Sequence, residues 1–568
     1  MLFENNLNMS LSKKIILGLG LCGLSFSTFA QFNNGEADKF FEISKNLEIY
    51  TNILKELNTF YVDPINPGKM TKTGLDAMLN ELDPYTNFIT EAEAEEFEMQ
   101  FNGKYGGVGT TVKIDSTENI IIDAIREKSP IDKAGIKPGD IIVSIDGNMV
   151  KGKKDEEVGL LLKGAPGTKL SIVVKNPLTG KQSTKEVTRE EITIASIPYS
   201  GFVDQDKQIG YVLLSQFTPN CGREVRNALD SLKAKANGGL KGIVLDLRGN
   251  PGGLVTEAVN ICNLFVDKGK LIVSTKAKHQ EWSKEYPSSN EPWDVNIPLT
   301  ILINGNSASA SEIVSGALQD LDRAVIIGSK SFGKGLVQVV RPVGYNSRLK
   351  VTTAKYYIPS GRCIQALDYT HRNEDGTVAA VPDSLKKPFK TSIGRTVYDG
   401  GGIEPDVKIE SEYYSLLSSK LLKDDYVFNY VTNYYYNHPT IAPAKEYRFS
   451  DADYTDFQNW LIKNKFKYET RSQYILNAVK KNADEEKNFD KIKTEYNALL
   501  AKIESEKKQD FVKNKAELQE ILSSEIVSRY YYQRGQIENQ LNNYNAALKK
   551  AVALLTTDKE AYKQVLKK

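Results

Sequence analysis

Between Ile197 and about Glu410 the chain alternates short apolar runs with longer helical ones, and this alternation limits the fold more than any other feature. Ile209 to Leu214, Gly242 to Leu247, Leu299 to Ile303 and Val325 to Ile327 are short and rich in branched residues, with helical stretches between them. That pattern predicts an α/β core. At 568 residues the chain is long for one core, so other domains must flank it. Phe40, Phe41, Ile43, Leu47, Ile49, Leu54 and Leu57 predict amphipathic helices before Tyr61-Val62-Asp63-Pro64, and Met78, Leu79 and Leu82 a further one. Together they outline a small helical domain over residues 36–101.

Within the α/β region, Asn304-Gly305-Asn306-Ser307-Ala308-Ser309-Ala310-Ser311-Glu312 is followed by Ser331-Phe332-Gly333-Lys334-Gly335-Leu336-Val337-Gln338. The first segment offers a serine nucleophile, which needs a base. Histidine usually fills that role, yet the chain holds only His279, His371 and His438, none in a site-like context. A lysine serves instead where burial favours its neutral amine. A structural reading competes: Ser309-Ala310-Ser311-Glu312 matches a capping box, with Ile313, Val314, Ala317 and Leu318 at helical spacing behind it. The two are compatible, because a helix start favours negative charge developing at a nucleophile. Lys334 likewise reads on its own as a solvated loop lysine. The run Gly242-Ile243-Val244-Leu245 ends in Asp246-Leu247-Arg248-Gly249-Asn250-Pro251-Gly252-Gly253, a turn whose amides can approach an oxyanion or simply reverse the chain.

These segments, with Leu82-Asp83-Pro84-Tyr85-Thr86, Thr353-Ala354-Lys355-Tyr356-Tyr357-Ile358-Pro359-Ser360-Gly361-Arg362 and Gly400-Gly401-Gly402-Ile403-Glu404-Pro405-Asp406-Val407, resemble the carboxy-terminal processing peptidases, or tail-specific proteases. The motifs stand in the family order and cover roughly two thirds of the chain. The resemblance implies a serine-type endopeptidase with a crotonase-like α/β core over residues 197–410, an inserted PDZ domain over 103–191 and a mainly helical C-terminal extension over 411–568. It makes Ser309 the nucleophile, with Ser307 and Ser311 as near misses, Lys334 the general base and Gln338 the residue that orients it. It draws the oxyanion hole from Ala310 and Gly252, with Gly253 the alternative to Gly252. Lys334 and Gln338, four apart, share a face on a helix or a strand.

Ser129-Pro130-Ile131-Asp132-Lys133-Ala134-Gly135-Ile136-Lys137-Pro138-Gly139-Asp140-Ile141-Ile142-Val143-Ser144-Ile145-Asp146-Gly147 resembles the middle of a PDZ domain, with Ala134 opening a short helix and a strand ending in an Asp-Gly turn. Upstream, Tyr105-Gly106-Gly107-Val108-Gly109 resembles the loop that binds a peptide's terminal carboxylate, substrate entering as an added strand. The implied partner is a protein with an exposed, apolar C-terminal tail.

Lys13 and Lys14 precede the apolar run Ile15 to Phe29, and Thr28 and Ala30 suit cleavage before Gln31, so residues 1–30 read as a signal peptide. Export to a periplasm follows, with membrane attachment only if the segment stays uncleaved. The mature chain keeps Cys221, Cys262 and Cys363, at no ligand spacing, so no disulfide framework, metal or cofactor is implied. Seventy-four basic against 72 acidic residues give no nucleic-acid footprint. In the extension, Leu541, Tyr544, Leu548, Val552 and Leu555 form an apolar helix face, read as internal packing or as a surface for a homodimer or adaptor. Tyr434 to Tyr436 and Tyr530 to Tyr532 are clusters with no role legible in the sequence. Two rival functions remain: a noncatalytic PDZ scaffold, and an acyl-CoA enzyme on the related fold.

Overall fold

The computed structural model describes residues 34–567 apart from 374, 411–412 and 543–544. The signal-peptide reading of residues 1–30, and Tyr544 of the apolar helix face, lie outside the described residues. Two compact units divide the chain, Met1–Phe88 and Ile89–Lys568. The first holds helices Asn34–Phe60 and Pro67–Asn80, the latter with proline in its first turn and Asn66 Oδ1 accepting from Lys69 N–H at 2.9 Å. Phe40, Phe41, Ile43, Leu47 and Ile49 are exposed, and only Leu54 and Leu57 of that predicted stripe are partly covered, because two helices cannot enclose an apolar face of that length. The expected boundary at residue 101 moves to 88: helix Glu91–Asn102 belongs to the second unit, where Asn346 Nδ2 donates to Glu91 Oε1 at 3.0 Å.

At the centre of the second unit is a six-stranded sheet in the order Tyr199–Phe202, Ile209–Leu213, Gly242–Asp246, Leu299–Ile303, Val325–Gly328, Val407–Lys408. All neighbours are parallel except the first pair. The strands predicted from branched apolar runs are therefore present, and their continuous burial is what parallel strands covered on both faces require. Successive side chains face opposite ways. Ile243, Leu245, Leu299, Ile301, Ile303 and Ile326 pack with helices Cys221–Lys235, Val255–Cys262 and Ala310–Asp320. Cys221 and Cys262 are fillers of that same core.

The other face changes the domain picture. Tyr211, Val244, Leu302, Val325 and Ile327 are covered by Leu548, Ala551, Leu554, Leu555 and Tyr562, from helices Ala546–Leu555 and Lys559–Lys567. Tyr562 Oη accepts from Leu299 N–H at 2.9 Å, so the far end of the chain is bonded into a core strand. The core does not end at residue 410. The stripe carrying Leu548 and Leu555 is packed against the sheet and is not a free dimer face.

The PDZ-like module is an antiparallel sheet in the order Thr110–Ile114, Ile120–Ile125, Ile141–Ile145, Lys169–Lys175, Gln182–Thr188, around Val108, Ile122, Ile142, Ile172 and their neighbours. Its short helix is Pro130–Lys133, with Ala134 closing it rather than opening it, since the preceding proline already fixes a helical φ for the first turn. Thr110–Ile114 is the edge strand beside helix Asp155–Leu162, and Gln182–Thr188 forms the opposite edge.

The helices from Leu416 to Asn542 have their own core around Tyr430, Val431, Phe457, Leu518 and Leu522. The tyrosine clusters seat the PDZ-like module on this bundle. Tyr436 Oη donates to Asp140 Oδ1 at 2.6 Å and Tyr532 Oη to Asp132 Oδ1 at 2.8 Å. Lys113, on the edge strand, pairs with Asp425 at 2.6 Å and lies 3.2 Å above the Phe428 ring centre.

Truncating a fully buried leucine costs about 2–5 kcal/mol, so Leu555→Ala is expected to destabilise the core by that amount. Deletion from residue 546 uncovers a whole sheet face and is expected to give insoluble or loosely packed protein. A deletion variant with an unchanged unfolding midpoint would contradict this packing.

Candidate active site

In an open parallel sheet, ligands meet the carboxyl ends of the strands. Here Gly242–Asp246 and Leu299–Ile303 are neighbours, so the glycine turn and the serine segment emerge side by side. Hydrogen bonds join and anchor them. Ala308 N–H donates to Asn250 O at 3.0 Å, Gly249 N–H to Asn304 Oδ1 at 3.0 Å, and Asn250 Nδ2 anchors the turn on Leu214 O at 2.8 Å.

The three serines are not equivalent. Ser307 and Ser311 are fully buried, their hydroxyls donating to Leu247 O at 2.8 Å and Asn250 O at 2.9 Å. Ser309 is half-buried, at φ 56°, ψ −114°, immediately before helix Ala310–Asp320. A non-glycine residue held there costs on the order of 1–3 kcal/mol and persists only where its surroundings over-determine it. The same kind of strained strand-to-helix turn lifts the nucleophile out of the sheet in α/β-hydrolases. Small neighbours are needed: a Cβ on Gly252 would lie 2.8 Å from Ser309 Cβ and 2.9 Å from Ala310 N. Ala310 opens the helix, so its N–H has no intrahelical acceptor. Gly252 N–H donates to Asn250 Oδ1 at 2.9 Å, whereas Gly253 is exposed and its N–H has no partner among the described residues.

Glu312 exceeds its predicted capping role. It is fully buried, and its carboxylate accepts from Ser309 N–H at 2.9 Å, as a capping glutamate does. It also accepts from Lys334 N–H at 2.9 Å, Gly333 N–H at 2.7 Å and Ser331 Oγ at 2.5 Å. One carboxylate therefore ties the serine segment to the lysine segment. Burial raises its pKa to about 7, against the pull of these four donors. Sequence reading found the residue but not this function. Ser331 Oγ also accepts from Ile403 N–H at 2.6 Å, which attaches the Gly400 to Val407 segment to the same joint.

Lys334 is half-buried in an irregular segment, and Gln338 follows on strand Leu336–Gly344, so the two do not share one regular element as the spacing argument assumed. A register shift lies between Val337 and Gln338, and Gln338 Nε2 donates to Thr352 Oγ1 at 3.1 Å on the neighbouring strand Ser347–Tyr357.

Of the proposed carboxylate loop, Tyr105 to Gly107 lie on a strand paired with Glu190–Thr193, Val108 is a core residue, and Gly109 turns into the edge strand Thr110–Ile114. A Cβ on Gly106 would come within 2.1 Å of Gly164 O, so this glycine lets the loop pack beneath the end of helix Asp155–Leu162.

Residues 208–371 match the family profile described as peptidase family S41, 121–176 that of a PDZ domain, and 417–555 that of a probable PDZ-protease C-terminal helical domain. A carboxy-terminal-processing protease of Bartonella bacilliformis is 36% identical over 327 residues, which are 57% of this chain and 74% of the relative. A probable CtpA-like serine protease of Staphylococcus aureus is 32% identical over 376 residues, 66% of each chain. Among solved structures, a photosystem II D1 C-terminal processing protease covers 63% of this chain and 85% of its own, at 27% identity and TM-score 0.35.

A carboxyl whose pKa is raised on folding stabilises the fold fully below its unfolded value and loses that contribution as pH rises through its folded value. Between an ordinary 4.5 and about 7 the effect amounts to at most about 3 kcal/mol. The stability of wild type relative to Glu312→Gln is therefore expected to fall between pH 5 and pH 8. Over the same range the ionised carboxylate gains its full set of donors, and labelling of Ser309 by a fluorophosphonate is expected to rise in wild type with a step that Glu312→Gln lacks. Parallel curves for the two proteins would count against the assignment.

Proposed function

From membership of the carboxy-terminal processing peptidases of family S41, to which this chain belongs, we propose that this serine-type peptidase is exported, captures the C-terminal tail of a protein substrate on its PDZ domain, and cuts that substrate with a Ser309/Lys334 dyad. The core is of the crotonase-like type on this reading. The observation that carries it is the shared Glu312 carboxylate, which bonds the amides of both dyad residues while Ser309 occupies its strained turn.

The chemistry is acyl transfer. Neutral Lys334 Nζ takes the Ser309 proton as Oγ attacks the scissile carbonyl, and the Ala310 amide with one from the Gly252-Gly253 turn holds the oxyanion. Lys334 returns the proton to the departing amine as the C–N bond breaks, leaving an ester on Ser309. It then takes a proton from water, whose oxygen attacks the ester and frees the new carboxyl end, and the proton goes back to Ser309. Gln338, whose Nε2 is bonded to Thr352, is the residue assigned to orient Lys334. The tail adds to edge strand Thr110–Ile114, beside helix Asp155–Leu162, with its carboxylate at Tyr105 to Gly109. Processing or degradation of envelope proteins is the proposed task, and dimer or adaptor binding falls to surfaces of the extension other than the Leu548 and Leu555 stripe.

The test is cleavage of an unstructured protein ending in an apolar tail by residues 31–568, beside Ser309→Ala, Lys334→Ala and a substrate whose tail ends in charged residues. Loss of a triad-type member typically leaves about 10³–10⁴-fold catalysis over water, so both variants are expected to be inactive in this assay yet folded and tail-binding. Wild-type binding without turnover would favour a scaffold, and product from thioesters alone an acyl-CoA enzyme.

A further inference from the structure

We propose that Tyr356 is a positioning residue for the dyad, fixing the carbonyls of Ser309 and Lys334 as Glu312 fixes their amides; this rests on the reading that those two residues carry the chemistry. Tyr356 lies at the end of strand Ser347–Tyr357 and is 1% exposed, with its ring in the main core. Its hydroxyl meets Ser309 O at 3.2 Å and, more closely still, Lys334 O. Its own N–H donates to Gly335 O at 3.0 Å, so the chain beyond Lys334 is held by the same residue twice.

A buried phenol needs an acceptor, and a single carbonyl would satisfy it. Here the one phenolic proton is shared between two carbonyls, those of Ser309 and Lys334, on segments separated from Tyr356 by 47 and 22 positions. The same two residues give their N–H groups to Glu312, each at 2.9 Å. Each of these residues is thus held both at its N–H and at its C=O. For Ser309 the consequence is specific. The orientation of its carbonyl is its ψ, and ψ −114° with φ 56° does not persist unaided. Glu312 holds the amide side of that residue and Tyr356 the carbonyl side. The direction in which Ser309 Oγ leaves the backbone then depends on torsions that two buried side chains determine. Misplacing a catalytic group by about 1 Å costs about 10²-fold.

Tyr356→Phe keeps the ring and removes the bridge. Tyr562→Phe is the control, since its hydroxyl also bonds a backbone peptide, donating to Leu299 O at 3.2 Å and accepting from Leu299 N–H at 2.9 Å, but on the opposite sheet face. Both are assayed on the tail-bearing substrate, at a temperature where each is fully folded, beside Ser309→Ala and Lys334→Ala. Tyr356→Phe is expected to lose about 10–100-fold in kcat with KM within twofold of wild type, and Tyr562→Phe to keep kcat. Wild-type kcat in Tyr356→Phe, or a matching kcat loss in Tyr562→Phe, overturns the proposal. Activity in Ser309→Ala or Lys334→Ala overturns instead the dyad reading on which it rests.

Discussion

The Glu312 carboxylate is the interaction on which the rest of this site depends. Burying an ionisable carboxyl is costly, and the cost is tolerable only where donors surround the charge. Four donors do so here, and none comes from a basic side chain. An Arg or Lys partner would have lowered the pKa by adding a second charge to the buried site. Amide and hydroxyl donors fix geometry without adding charge. The carboxylate thereby converts a local helix-start device into the joint between two distant loops.

Much of this was legible in the sequence. Strands Leu299–Ile303 and Gly242–Asp246, and the helix beginning at Ala310, follow from branched apolar runs and a capping signature, which are local patterns. The Ser309, Lys334 and glycine-turn segments stood out because each is a compact string of residues, and the structure bonds them to one another. What escaped was long-range. Glu312 satisfied its local pattern within three residues, so nothing pointed to its bonds 19, 21 and 22 positions on. Tyr356 reads as one more aromatic in a strand, and its meaning lies in which carbonyls it reaches. The Tyr434 to Tyr436 and Tyr530 to Tyr532 clusters look alike in sequence, yet Tyr434 stacks on His438 in the bundle while Tyr436 and Tyr532 reach acidic residues of another domain.

The PDZ domain is attached through more than its two chain connections. Its edge strand contributes Lys113 to an ion pair and a cation–π contact with the helical bundle, and Arg529 of the bundle donates to Asp123 O at 3.0 Å on the adjoining strand. These contacts are polar and partly buried, of the kind that hold a domain in one place without making it a permanent part of its neighbour. If a tail is captured as proposed, on the strand bearing Lys113, the bundle and the bound tail share a single structural element.

The helices that cover the back of the core sheet have a bearing on how this molecule comes into being. Tyr562 and Leu299, bonded in the finished fold, are 263 residues apart along the chain. Closing so long a loop is slow compared with forming the local helices, and a sheet awaiting its second layer presents Val244, Leu302, Val325 and Ile327 to water. During synthesis, every strand of the main sheet is available before the segment that seals it. The nascent chain must therefore be kept from sticking to its neighbours until residues 546–567 arrive, and a break in the backbone ahead of that segment would unseat the core from a point far along the chain from Ser309.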